Sequence, residues 1–193
     1  MSALLGYVPV ADGESTERIW LEAPGTHSVA TARKSELLAA VLDLRPRGGA
    51  RLFVLGTEVG ALEEPQRLAL LGKVGFVPAD GGLISSLNGW ENITLPVAYH
   101  QPRRIAHLFD EVRELLEDLG GVEDDLLHKL PEEMTPYEKR VTAYVRALLE
   151  KPALLLVETA AAGLGPTKRR RTSRFAEAYH ARCPGGTYVQ LEE

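Results

Sequence analysis

Ala153-Leu-Leu-Leu-Val157 is an unbroken apolar run, and it constrains the fold more than any other stretch. A run without polar alternation suits a strand covered on both faces, as in a parallel sheet. Parallel strands need crossover connections, normally helices, so strands and helices must alternate along the chain. They do. Strand patterns lie at 18–22, 26–31, 51–56, 74–77 and 187–191. Helical spacing occupies 34–44, where Leu37, Leu38, Val41 and Leu42 recur, and 103–119, where Ile105, Leu108, Val112, Leu115, Leu116 and Leu119 form one stripe. Further helices are expected at 62–71, 90–99, 138–149 and 167–181. Asn88 with Glu91 three residues on reads as a capping box for the helix at 90–99.

Composition narrows the function classes. The chain has 193 residues, 45% hydrophobic and 25% charged, which suits one globular domain over 1–193 and excludes wholesale disorder. Cys183 is the one cysteine, so a disulfide framework and a multi-cysteine zinc site are ruled out. No metal centre is expected. No apolar run reaches the roughly 20 residues of a membrane helix, and the start lacks the basic segment of a secretory signal. A cytoplasmic protein is expected. The net charge of -5 argues against non-specific nucleic-acid binding.

Four blocks carry a family resemblance. Pro152-Ala-Leu-Leu-Leu-Val-Glu-Thr-Ala-Ala-Ala-Gly-Leu-Gly-Pro166 aligns without a gap to P-x-L-L-L-L-D-E-P-T-x-G-L-D-P, the Walker B and D-loop stretch of ATP-binding cassette (ABC) ATPases. Met134-Thr-Pro-Tyr-Glu-Lys-Arg-Val-Thr-Ala-Tyr-Val-Arg-Ala-Leu148 resembles their signature, L-S-G-G-Q-x-x-R-V-x-x-A-R-A-L. Residues 74–92, from Val74-Gly-Phe-Val-Pro-Ala to Glu91-Asn92, resemble the Q-loop, and Arg45-Pro with Gly49 and Val54-Leu-Gly56 matches a further family block. Glu91-Asn-Ile-Thr-Leu-Pro-Val-Ala-Tyr-His100 is similar to the Mce/Mla-type ATPases of bacterial lipid transporters. The resemblance implies an α/β, P-loop NTPase-like fold: a mostly parallel sheet flanked by helices, with a helical signature subdomain at about 88–150.

It also implies a site, and the site is altered throughout. Lys34-Ser35 stands where the phosphate loop ends, but no glycine occupies the four positions before it. Gly25 lies nine residues before Lys34, closer than the family pattern by about the length of the loop itself. Without glycine, backbone approach to phosphate is restricted. The plainer reading of Lys34-Ser35 is an ordinary helix start with a solvated lysine. The Walker B Asp position holds Glu158 and the catalytic Glu position holds Thr159, which cannot act as a base; the plainer reading of Glu158 is a residual strand-end carboxylate. Ala79 replaces the Q-loop Gln. Thr135 keeps the signature hydroxyl and can N-cap the following helix with Pro136 at its first position. Tyr137 is expected to fill the phosphate space and Glu138 to repel γ-phosphate. Gly165 replaces the D-loop Asp, and no histidine stands at the switch position.

Scaffold residues persist beside these losses: Gly75-Phe76, Leu87, Glu91-Asn92, Arg146-Ala-Leu148, Pro152, Gly163-Leu164 and Pro166. The expectation is therefore a catalytically inactive subunit of a bacterial ABC transport system, of the lipid-transport type, that needs no cofactor. It would dock on a permease or an active ATPase, or form a homodimer, at the inner face of the inner membrane through that partner. Trp90, Tyr99 and His100 are the candidate contacts. The alternatives are a weak ATP- and Mg²⁺-using ATPase built on Lys34, Ser35, Glu158 and Thr135, and a free-standing regulatory or self-associating protein. Tyr7 or Trp20 could take the place of the family's adenine-stacking aromatic, or serve the core. The basic run Lys168–Arg174 and the acidic residues Glu123, Asp124 and Asp125 read as solvated segments.

Overall fold

The structure, a computed structural model, describes residues 4–9, 18–119, 125–159 and 166–192, with the backbone alone for 166–173. Gly165, Gly163, Leu164, Glu123 and Asp124 lie outside the described residues, as do the side chains of most of the basic run. In chain order the elements are β1 (Leu5–Val8), β2 (Ile19–Leu21), β3 (Gly25–Ala30), α1 (Lys34–Asp43), β4 (Arg51–Val54), β5 (Thr57–Glu58), α2 (Glu64–Leu71), β6 (Val74–Val77), α3 (Gly89–His100), α4 (Leu108–Asp118), α5 (Pro136–Leu149), β7 (Leu154–Glu158), α6 (Pro166–Arg182) and β8 (Thr187–Glu192).

The expected parallel sheet has the order β3-β8-β7-β6. A second sheet, antiparallel, has the order β2-β1-β4-β5. The apolar run becomes β7, and both of its faces are covered. Leu154 and Leu156 join Leu37 and Val41 of α1 and Leu5, Leu52 and Val54 of the antiparallel sheet in one core cluster. Leu155 and Val157 point the other way, into a cluster with α3, α4, α5 and α6.

Persisting scaffold residues have packing reasons. A Cβ on Gly75 would come within 2.9 Å of Leu155 Cδ1 and of Pro152 Cγ. Arg146 donates from Nη1 to the Gly82 carbonyl (3.0 Å) and from Nη2 to that of Gly81 (3.2 Å), fastening the loop after β6 to α5. Asn88 and Glu91 form the expected capping box at the start of α3. Pro136 and Thr135 likewise open α5, two residues earlier than the apolar spacing alone suggests.

Two features depart from the sequence reading. The helix expected at 103–119 is split: residues Pro102–His107 form a 3-10 segment, and α4 begins at Leu108. Arg104 explains the break. Its guanidinium donates to the Leu149 carbonyl at the end of α5 (3.0 Å) and to Glu111 Oε2 (2.9 Å), which fixes the first turn against a neighbouring helix. Strands β1 and β5 carry too few residues to signal themselves; β1 exists because β2 and β4 pair with it on both sides.

Candidate functional site

The loops at the carboxyl ends of β3, β6 and β7 meet, the place where open α/β sheets put their ligand crevice. β3 enters α1 through the turn Thr31-Ala32-Arg33. Arg33 N–H donates to Thr31 Oγ1 (3.0 Å) and Lys34 N–H to the Thr31 carbonyl (3.3 Å). Lys34, the first residue of α1, is only 7% exposed, and its Nζ lies 3.1 Å from Glu158 Oε1. The reading of Lys34 as a solvated lysine is therefore corrected. Burial costs an ammonium its hydration, and a carboxylate at contact distance offsets that cost.

Glu158 is tied from three sides. Besides Lys34, its Oε2 accepts from the Ala79 N–H (3.2 Å), and its carbonyl accepts from Arg140 Nη2 (3.1 Å). This strand-end carboxylate thus joins the start of α1, the turn after β6 and α5. Arg140 belongs to α5, and burial lowers its pKa below the ordinary arginine value. Thr159 is 3% exposed. Its N–H and its hydroxyl both donate to the Leu191 carbonyl, at 2.9 and 2.7 Å, so this side chain is used in joining β7 to β8. The structure brings Lys34, Ala79, Glu158 and Thr159 together.

Ser35 is exposed and faces a cleft of about 560 Å³ on the flank of α1, shared with Tyr7, Arg33, Glu36 and Arg47. The Tyr7 hydroxyl donates to Glu36 Oε2 at 3.4 Å, and Arg33 Nη1 lies 3.0 Å from the same oxygen. Trp20 is not among the lining residues; its ring stands edge-on to Phe53 with centroids 5.2 Å apart.

Thr135 makes its hydrogen bonds locally. Its hydroxyl accepts from Glu138 N–H (3.2 Å), while Glu138 Oε2 accepts from Thr135 N–H (2.6 Å) and Glu138 Oε1 from Lys129 Nζ (2.8 Å). The Lys129 bond, aided by Thr135, brings the Glu138 carboxyl down to about 2, against the opposing effect of burial. The Glu138 charge is therefore matched within the chain. Tyr137 turns inward, donating its O–H to the Leu119 carbonyl (3.2 Å) and packing on the helical core. That corrects the expectation that Tyr137 fills a phosphate space.

Trp90, Tyr99 and His100 belong to α3. Tyr99 is 83% exposed and edge-on to the His100 ring, and Trp90 packs on Phe109. Leu95 and Phe109 are exposed too, as is Ile84 in the preceding loop. Asn92, fully buried, secures that loop: Oδ1 accepts from Ile84 N–H (2.8 Å), and Nδ2 donates to the carbonyls of Ile84, Leu87 and Asn88. The sequence reading missed Arg140 altogether and saw Asn92 only as part of a motif. Neither contact leaves a local pattern, because each joins different elements or a loop to a helix. Among the described residues no group of three or more His, Cys, Asp and Glu side chains is placed to hold a metal ion, and no helix is long and apolar enough to cross a membrane.

The charges at Lys34 and Glu158, an ammonium and a carboxylate, are of the kinds that meet a polyphosphate and a hard cation, whereas the Ser35 hydroxyl faces the cleft on the flank of α1. The backbone cradle is reduced, because Arg33 N–H and Lys34 N–H already bond to Thr31.

No protein-family model matches the chain. In sequence it is 33% identical over 135 residues to the methionine import ATP-binding protein MetN of Rhizobium meliloti, covering 70% of this chain and 37% of that protein. It is 27% identical over 165 residues to MetN of Rhizobium etli, covering 86% and 45%. The chain thus spans less than half the length of these relatives. In structure it superposes on cbiO1 from Clostridium perfringens, part of the ABC transporter complex cbiONQ, with a TM-score of 0.72 at 13% identity, covering 100% of this chain and 78% of that one. The ATP-binding cassette MJ0796, solved as a dimer in a post-hydrolysis state with ADP and Pi, gives 0.67 at 16% identity, covering 97% and 87%. These relatives overturn the expectation of a chain without a cofactor, since they are ATP-binding proteins by name and one holds ADP and Pi. The chain has the fold of ABC transporter ATPase domains and is similar in sequence to MetN ATP-binding proteins over 70% of its length.

Proposed function

We propose that this chain is the ATP-binding subunit of an ABC transport system and hydrolyses ATP slowly. One observation carries the reading: Lys34 and Glu158, far apart in sequence, meet at 3.1 Å at the end of the parallel sheet. Lys34 would hold the phosphates and Glu158 the Mg²⁺, which supplies charge neutralisation at the transferring phosphoryl group. The Lys34–Glu158 pair must open for this. Thr159 bonds to Leu191 in place of a general base, which accounts for slow turnover. The whole chain, 1–193, is one such unit, with its helical part at about 88–150. The exposed face of α3 bearing Leu95 and Tyr99, with His100 at its end, would meet a permease, which would hold the chain at the inner face of the membrane. The import proteins among its relatives favour an import system over the lipid-transport type implied by the wording at 91–100.

Calorimetric titration with ATP and Mg²⁺ tests the reading. Saturable heat is expected for the natural chain and none for Lys34→Ala with an unchanged circular dichroism spectrum. Phosphate release should stay far below the rates ordinary for such ATPases. No heat at millimolar nucleotide overturns the assignment, and so does equal heat from the variant.

A further inference from the structure

A cleft of about 590 Å³ opens between the end of α1 and α2, at the opposite end of α1 from Lys34. Its lining has two chemistries. Leu42, Leu68 and Leu71 give it an apolar side, and Leu68 is 59% exposed. Arg45, Arg47 and Arg67 give it a cationic side. Arg67 is a fixed part of the wall: its Nη1 and Nη2 donate to the Leu44 and Leu62 carbonyls at 3.2 and 2.7 Å. Arg45 and Arg47, in the loop after α1, are exposed.

The carboxylates at the cleft do not use up these cations. Glu64 Oε2 lies 3.1 Å from Arg45 Nη2 and 3.5 Å from Arg67 Nε, so one carboxylate is shared between two guanidinium groups. Arg67 Nε is buried and reaches no hydrogen-bond acceptor among the described residues. Arg47 has no described carboxylate within ion-pair distance, and Asp43, the other acid of the lining, pairs with none of the three arginines. The end of α1 adds little bare negative charge. The Ala40 and Val41 carbonyls accept from the Arg45 and Leu44 N–H groups, at 3.2 and 3.3 Å, and the Leu44 carbonyl accepts from Arg67.

We propose that this cleft binds an organic carboxylate with an aliphatic body. The two carboxylate oxygens suit the planar donor forks of Arg45 and Arg47, and the body lies on Leu42, Leu68 and Leu71. The volume is that of a small-molecule pocket. Binding exchanges partners and leaves no charge unmatched: the ligand takes Arg45 and Arg47, while Glu64 closes on Arg67 Nε. This surface is distinct from the Lys34–Glu158 site, and the inference is independent of nucleotide binding.

Titration of the full chain with sodium octanoate, followed by amide chemical shifts, tests it. Saturable shifts are expected at the amides of Arg45, Arg47, Arg67 and Leu68. Acetate has the same head without the body, and octylammonium the same body with the opposite charge; each should bind about tenfold more weakly or worse. Arg47→Ala, at an exposed position, should lose about tenfold in affinity with an unchanged circular dichroism spectrum. Glu64→Gln releases Arg45 and should bind octanoate more tightly. Absence of saturable shifts overturns the proposal. Acetate binding as well as octanoate overturns it by showing an adventitious ion only, and octylammonium binding as well overturns it by showing apolar contact alone. Unchanged affinity in Arg47→Ala, or weaker binding in Glu64→Gln, overturns it too.

Discussion

The Glu158 carboxylate bridges two loops, with Oε1 3.1 Å from Lys34 Nζ and Oε2 accepting from the Ala79 N–H at 3.2 Å. Glutamate has one more methylene than the aspartate the family pattern places here, and its two oxygens engage the start of α1 and the turn after β6. Ala79, where the pattern has Gln, contributes its backbone instead of a side chain. One substitution thus supplies a contact that the other lacks. Any ligand that draws Lys34 away from Glu158 also disturbs the residue that fastens the loop leading to α3.

Removing one partner of this ion pair takes an opposite charge from the other, partly buried group. Lys34→Met and Glu158→Gln are each expected to destabilise the fold by about 2 kcal/mol, less than for a fully buried pair because Glu158 keeps some solvent contact. The double variant should recover part of that loss. Urea unfolding of the four proteins checks the coupling, and strictly additive effects would show that the pair is not energetically connected.

Thr159 bonds twice to the Leu191 carbonyl. Thr159→Val keeps the backbone bond and removes the hydroxyl one, so a loss of about 1 kcal/mol is expected. ATP binding should be unchanged, because the hydroxyl faces β8. A calorimetric titration beside the unfolding curve separates these effects; a large loss of nucleotide affinity would place the hydroxyl in the site.

Much of this architecture was legible in the sequence where a signal is local. The apolar run at 153–157 foretells a strand with two covered faces, and Leu154 and Leu155 do face opposite cores. Asn88 with Glu91, and Thr135 with Pro136, foretell helix starts because a capping box spans only four positions. The Lys34–Glu158 contact was not legible, because it depends on where β3 ends relative to β7. The same lack of range produced the solvated reading of Lys34. The 3-10 segment before α4 was missed because its cause, Arg104 reaching the Leu149 carbonyl, comes from another helix. Tyr137 was misplaced because the motif fixes its position along the helix but not which way its side chain turns.

Asn92 makes four hydrogen bonds to the backbone between Ile84 and Asn88. Asn92→Ala would remove the partner of the Ile84 N–H and of the Leu87 carbonyl and one of the two bonds at the Ile84 and Asn88 carbonyls, so a loss of about 2 kcal/mol is expected. Hydrogen exchange should rise first at the Ile84 amide. The Ile84 loop adjoins α3, so binding of a permease should weaken more in this variant than in Leu68→Ala, whose exposed side chain lies on α2. Equal weakening would separate the α3 face from partner binding.

Acid should act on this protein through Glu138. Its carboxyl titrates near 4.5 when ordinary and at about 2 in the folded chain, because it accepts from Lys129 Nζ and from Thr135. A carboxyl with a lowered folded pKa stabilises the fold above its unfolded value and ceases to do so as pH falls through the folded one. Stability from this group is therefore complete above pH 4.5 and is lost progressively toward pH 2. Lys129 behaves oppositely: its pKa is raised above 10.5, chiefly by Glu138 and then by Asp125, so its contribution is complete below pH 10.5 and fades only at higher pH. Glu138→Gln keeps the shape of the cap and removes the titration. Urea unfolding across the acid range should show a shallower decline for Glu138→Gln than for the natural chain between pH 4.5 and 2, with the variant less stable at pH 7. Identical slopes would show that the acid sensitivity arises elsewhere.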